Sequence, residues 1–220
     1  VSRRSSLLKF LEQEIPGTVS SKKVLVIPPA ERILRGFLIE NTAYRDLVHV
    51  WWLIAPLYTP NPFVPLTYGQ RLSSGPNETH FRIVPESFVE SATAVRDAIV
   101  SGEYIEHLQS IASPQDVLGH MGTPASTASI PRRLDYAMTL YLLGETASAL
   151  RYVEPLAFDI DKESEQMKAV YGQPIKRALK CLKNDSAGLL SVLDEWQEAN
   201  IAAFGLQRAR LSMIGSHPHS

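Results

Sequence analysis

A chain of 220 residues, 45% hydrophobic and 20% charged, is long enough to bury one good core or two small ones, and its composition excludes fibrous and low-complexity classes. The formal net charge is −1, with Lys and Arg outnumbering Asp and Glu 10 to 6 up to Pro85 and trailing them 12 to 17 beyond it, which argues against the concentrated basic surface of a general nucleic-acid binder. Cys181 is the sole cysteine, so an intrachain disulfide and a cysteine-rich zinc site are both excluded.

In chain order, Leu7, Leu8, Phe10, Leu11 and Ile15 recur at helical spacing and Pro16-Gly17 ends the pattern, which predicts a short amphipathic helix. No continuous apolar stretch of the secretory kind follows Arg3 and Arg4; with the lone cysteine this sets an expectation of a cytoplasmic protein. Lys23–Ile27 and Ile33–Glu40 predict two strands of an antiparallel ribbon, in which Lys22, Lys23, Arg32 and Arg35 are expected on an open strand face. The run Leu47–Tyr58 is apolar on both faces, the pattern of a central strand, and falls well short of the roughly 20 residues that span a bilayer. Prolines between Tyr58 and Pro65 predict a rigid crossing, and Val64–Leu72 and Thr79–Val84 complete a sheet of about five strands around a turn at Ser73–Asn77.

After Pro85 the apolar period changes to that of helices. Phe88, Ala92, Val95 and Ile99 line one face, Tyr104 to Ile111 form a second helix, and Ser113-Pro114 reads as an N-cap followed by proline at the first helical position. Residues 119–131, rich in Gly, Ser, Thr and Pro, predict a flexible loop. Arg132–Leu143 and Ser148–Phe158 flank Gly144 as an antiparallel helical hairpin; further helices are expected from Lys162, with a break near Gly172-Gln173-Pro174, and from Ser186 to Ala203. The expectation is an α+β fold with a helix and a mainly antiparallel sheet over 1–85, a helical region over 86–214 that packs on the sheet or forms a subdomain, and a disordered tail at 215–220.

Candidate chemistry gathers at the strand ends. Glu40, His49, Glu78 and His80 are the acid–base candidates if the protein is an enzyme, although His49 on an apolar strand also fits a hydrogen-bonded core histidine. Trp51, Tyr68, Gln70 and Arg71 are the binding candidates: aromatic surface, an amide and a fork-shaped cation able to hold a carboxylate, a phosphate or an acidic loop. Asp159, Asp161 and Glu163 are read as helix-capping acids, so no metal and no cofactor are expected. Walker, dinucleotide, nucleophile-elbow and His-Glu-x-x-His signatures do not occur.

Residues 132–158 resemble a single tetratricopeptide-type hairpin: Ala137 and Ala149 stand at its small packing positions and Gly144 at its turn, while Arg133 and Leu156 depart from its pattern. Residues 49–72 are similar to stretches of uncharacterised bacterial proteins, which implies a bacterial accessory protein but no activity. The leading expectation is a protein-binding factor of immunity, adaptor or regulatory type, with another protein as partner and no membrane. The alternatives are a hydrolase or nuclease-like enzyme, which requires its four candidates to converge in one pocket, and a weak nucleic-acid binder using the basic first part.

Overall fold

The computed structural model describes residues 2–29, 32–61, 68–75, 78–207 and 209. Its α+β chain divides into two compact units. Of the described residues, those up to Ala55, from 68 to Ile111 and from Phe204 onward form the first; those from Pro56 to 61 and from Ala112 to Ala203 form the second. The first unit thus runs on through Ile111, and a short excursion from the end of a strand belongs to the helical unit.

The first unit opens with α1 (Arg3–Glu14), capped by Ser2 and burying Leu7, Leu8 and Leu11. Among the described residues six strands follow: β1 (Val19–Ser21), β2 (Val24–Val26), β3 (Ile33–Asn41), β4 (Leu47–Pro56), β5 (Tyr68–Arg71) and the two-residue β6 (Phe81–Arg82). Their order is β1-β2-β3-β4-β5, with β6 also on β4. β4 is therefore flanked on both sides, as its apolar composition predicts. Of the strand expected at Val64–Leu72, the part at 64–67 lies outside the described residues, as does the tail at 215–220.

Two expectations about basic residues are corrected. Ser21 pairs with Val24, so Lys22 and Lys23 form the tight turn between β1 and β2. Arg35, only 4% exposed, donates to the carbonyls of Ile111 at 2.9 Å and of Gln109 and Pro28 at 3.2 Å. It fastens the end of a helix to β3, because a buried guanidinium must find acceptors inside the protein. That helix, α3 (Tyr104–Ser110), and α2 (Phe88–Ser101), which buries Ala92, Val95 and Ile99, belong to the sheet unit. The ring edge of Phe10 meets Phe88 at 6.1 Å between α1 and α2. The chain rejoins this unit at Phe204, whose carbonyl accepts from the Ser21 hydroxyl at 2.8 Å.

The second unit is helical: α4 (Pro114–Met121), α5 (Ile130–Leu142), α6 (Thr146–Asp159), the single turn α7 (Glu165–Met167), α8 (Gln173–Asn184) and α9 (Gly188–Phe204, its last residue counted with the sheet unit). Ser113 and Asp116 form the capping box that starts α4, which runs through Gly119 to Met121; the segment expected as loop from 119 thus begins three residues later. α5 ends in a Schellman turn, with Glu145 N–H donating to the Leu140 carbonyl, Gly144 N–H to that of Tyr141, and Gly144 at φ +85°. Ala137 and Ala149, both fully buried, lie in the core cluster of α5 and α6. The break foreseen near Pro174 is a π-helical segment, Lys168–Gly172; its wider turn accommodates a proline that lacks the N–H of a regular helix.

Asp159 does not cap a helix. It ends α6 and pairs with Arg133 of α5 at 2.8 Å and with Lys162 at 3.1 Å, the two cations holding its carboxyl below the usual range, Arg133 foremost. The arginine that departs from the tetratricopeptide pattern is thus half of an ion pair across the hairpin. No helix among the described residues is long and apolar enough to cross a membrane.

The excursion after β4 is held by buried polar groups. The Asn200 side chain donates to the carbonyls of Leu57 at 2.7 Å and Thr59 at 2.6 Å. Thr59 Oγ1 donates to Asp135 at 2.6 Å, and the Tyr58 hydroxyl meets Thr139 Oγ1 at 2.7 Å. Burial, reinforced by the charge of Asp135, pushes the Tyr171 phenol up to about 12.

Two outcomes follow. Asn200→Ala strips the Leu57 carbonyl of this donor and should cost about 3 kcal/mol in urea denaturation; a loss under about 0.5 kcal/mol would show that the excursion is held by other means. The depressed carboxyl of Asp159 adds stability that is present above about pH 4, where the unfolded carboxyl is ionised, and lost as pH falls through the lower folded value. Asp159→Asn should therefore lower the melting midpoint near neutral pH, and the gap from wild type should close on acidification to about pH 2; a gap that persists there would contradict the ion pair as its source.

Candidate functional site

Alternation along β4 sends His49, Trp51 and Leu53 to one face and Val48, Val50, Trp52 and Ile54 to the other. Pairing with β5 sets Trp51 opposite Arg71, Trp52 opposite Gln70, and Ile54 opposite Tyr68. Gly69 is required at this crossing: a Cβ there would lie 2.3 Å from the Trp52 carbonyl oxygen. The register brings Trp51 and Arg71 together and separates both from Tyr68 and Gln70.

Around Trp51 the sheet builds one ordered group. The Arg71 guanidinium lies over the indole, 4.5 Å from the ring centroid, and Nε1 donates to Glu40 Oε2 at 3.3 Å. Arg71 and Glu40 are exposed and Trp51 is half-buried, so the ring is fixed by its neighbours while one cation and one carboxylate remain in water. An exposed cation–π contact contributes about 0.5–1 kcal/mol, enough to bias the rotamers of both side chains.

Tyr68 does not join them. At 5% exposure it belongs to the core, so the expected aromatic platform beside Arg71 is withdrawn; a strand of period two cannot put residues 68 and 71 on one face. Gln70 is exposed but on the Tyr68 side, where the neighbouring Trp52 meets the His107 ring edge-on at 5.5 Å.

The acid–base candidates divide. Glu40 belongs to the Trp51 group. His49 Nδ1 lies 2.9 Å from the Thr79 carbonyl oxygen, and since a carbonyl only accepts, Nδ1 carries the proton of this bond. Glu78 and His80 line a pocket of about 270 Å³ with Ser74, Arg82 and Ser91. Most polar groups in that pocket already have structural partners. The Ser74 hydroxyl holds the His80 carbonyl at 2.6 Å and lies 3.2 Å from Glu78 Oε2, Arg82 pairs with Asp46 at 3.1 Å, and Ser91 accepts from Val84 N–H while donating to the Ser87 carbonyl. Neither His49 nor His80 bonds a carboxylate among the described residues, and no group of three metal-ligating side chains occurs among them.

A second polar hollow, on the helical hairpin, was not foreseen. Tyr136 and Tyr152, edge to face at 4.9 Å, border about 440 Å³ with Glu145, Ser148 and Arg151. Burial, and then the neighbouring Tyr136, raise the Tyr152 phenol. Positions 136 and 152 meet only once the turn at Gly144 has folded, so strip patterns of one helix at a time do not reveal the pair.

No protein-family model, curated protein sequence or solved structure matches this chain. The resemblance of residues 132–158 to a tetratricopeptide hairpin accordingly rests on Ala137, Gly144 and Ala149 alone.

Proposed function

We propose that this chain is a non-catalytic interaction factor of adaptor, regulatory or immunity type that docks another protein on the sheet face carrying Trp51. The observation that supports the reading is the Glu40–Trp51–Arg71 group. A tryptophan whose ring is stacked by an arginine and whose N–H is held by a carboxylate loses little freedom on binding, and Trp and Arg are the residue types that dominate interface energetics. A complementary partner presents an apolar side chain to the indole and a carboxylate to Arg71.

The second reading is an enzyme working from the pocket of Glu78 and His80. What favours it is that these two candidates share one cavity and that the Thr79 carbonyl between them orients His49. It is the weaker reading, because Ser74, Arg82 and Ser91 in that cavity are committed to backbone or to Asp46.

The test is a native pull-down from the source cells at moderate salt with wild type, Trp51→Ala and Arg71→Ala, each matched for melting midpoint. Wild type should retain one stoichiometric protein, and Trp51→Ala should weaken that complex by about 2 kcal/mol or more, roughly thirtyfold in Kd, with Arg71→Ala intermediate. A partner held equally by all three would remove the Trp51 face from the interaction. No partner, against a bait of known affinity, would overturn the interaction reading and turn attention to hydrolysis screens with His80→Ala.

A further inference from the structure

Helix α8 carries four cations, Lys176, Arg177, Lys180 and Lys183, and no acid. Two of them are used within the helical unit: Arg177 clamps Glu195 of α9 with bonds of 2.6 and 2.8 Å, and Lys183 reaches Glu154 at 2.5 Å. The ammonium groups of Lys176 and Lys180 have no acceptor among the described residues, and they stand one helical turn apart, both exposed. Together with Gln173, Pro174 and Trp196 of α9 they border a groove of about 500 Å³. Trp196 is half-buried against the helical core, and its indole N–H likewise has no acceptor among the described residues.

An indole with an uncommitted N–H, next to two uncommitted ammonium groups, has a definite chemical complement. The ring face takes an apolar or aromatic side chain, and the cations take carboxylates on either side of it. A polyphosphate chain is the poorer match. It draws affinity from many cations at once and has no use for the apolar ring face, whereas the groove offers two free cations beside an indole.

We propose that the groove between α8 and α9 docks a short acidic segment of a protein partner, with an apolar side chain against Trp196 and carboxylates on Lys176 and Lys180. This surface lies in the helical unit and shares no residue with the Trp51 group, so either can be tested with the other intact.

The probe is a terminally blocked peptide of glutamates around a central phenylalanine, titrated into ¹⁵N-labelled full-length protein while the indole N–H signal of Trp196, assigned through Trp196→Phe, is followed. Saturable movement of that signal is expected, together with a Kd roughly tenfold or more weaker in Lys176→Glu/Lys180→Glu and near wild type in Lys176→Arg/Lys180→Arg. A peptide with serine for phenylalanine should bind more weakly than the parent. The proposal is overturned if millimolar peptide leaves the signal in place, if charge reversal leaves the affinity unchanged while the melting midpoint matches wild type, or if an oligothymidylate binds more tightly than the peptide. It is equally overturned if the signal moves with protein concentration alone, which would assign the groove to a second copy of the chain.

Discussion

The helical unit depends on satisfying the backbone of a segment that has no regular structure of its own. Past Pro56 the chain leaves the sheet ladder and enters a core of helices, where its carbonyls have no neighbouring strand. An unpaired buried carbonyl costs of the order of 1–3 kcal/mol, so the segment is tolerated only because α5 and α9 bring side chains to it. Asn200 supplies a carboxamide with two donors for two carbonyls, Asp135 an acceptor for the Thr59 hydroxyl, and Thr139 a partner for Tyr58. Asn61 closes the segment on itself, donating to the Pro56 and Thr59 carbonyls. These polar residues interrupt apolar helix faces, and each interruption has its counterpart in residues 56–61.

Much of the architecture could be read from the sequence because its signals are local. The strand pattern of β3, the unbroken apolar run of β4, the cap at Ser113 and the turn at Gly144 are each fixed within a dozen residues. What escaped the sequence is non-local. β1 is only three residues long, below the length at which a period of two can be distinguished. Arg35 reads as a solvated strand residue until the end of α3 arrives, 76 positions later, to supply the Ile111 carbonyl. The unit boundary after Ile111 is likewise invisible, since α2 and α3 carry the same kind of apolar stripe as the helices of the second unit.

The candidate sites show the same division. Trp51 and Arg71 each stand out in the sequence as candidates, but their contact depends on the β4–β5 register, which places residue 51 and not 52 opposite 71. The same register consigns Tyr68 to the core. Asp159 looked like a capping acid because sequence shows an acidic cluster before a helix; its actual partner, Arg133, lies 26 positions earlier on the facing helix. The Lys176–Lys180 spacing is plain in the sequence, whereas the tryptophan that makes a groove of it comes from another helix.

The excursion also has a consequence for how the chain is made. Leu57 and Asn200 are separated by 143 positions, so the ribosome finishes the receptor for this segment long after the segment itself. At about 5–20 residues per second, roughly 7–30 s pass between the two events. Tyr58 and Thr59, which end fully buried, wait about half of that interval for their partners on α5, 81 and 76 positions on, and the Leu57 carbonyl waits all of it for Asn200. The first strands are therefore followed, until α9 has been made, by a segment whose Leu57 carbonyl still lacks its carboxamide donor.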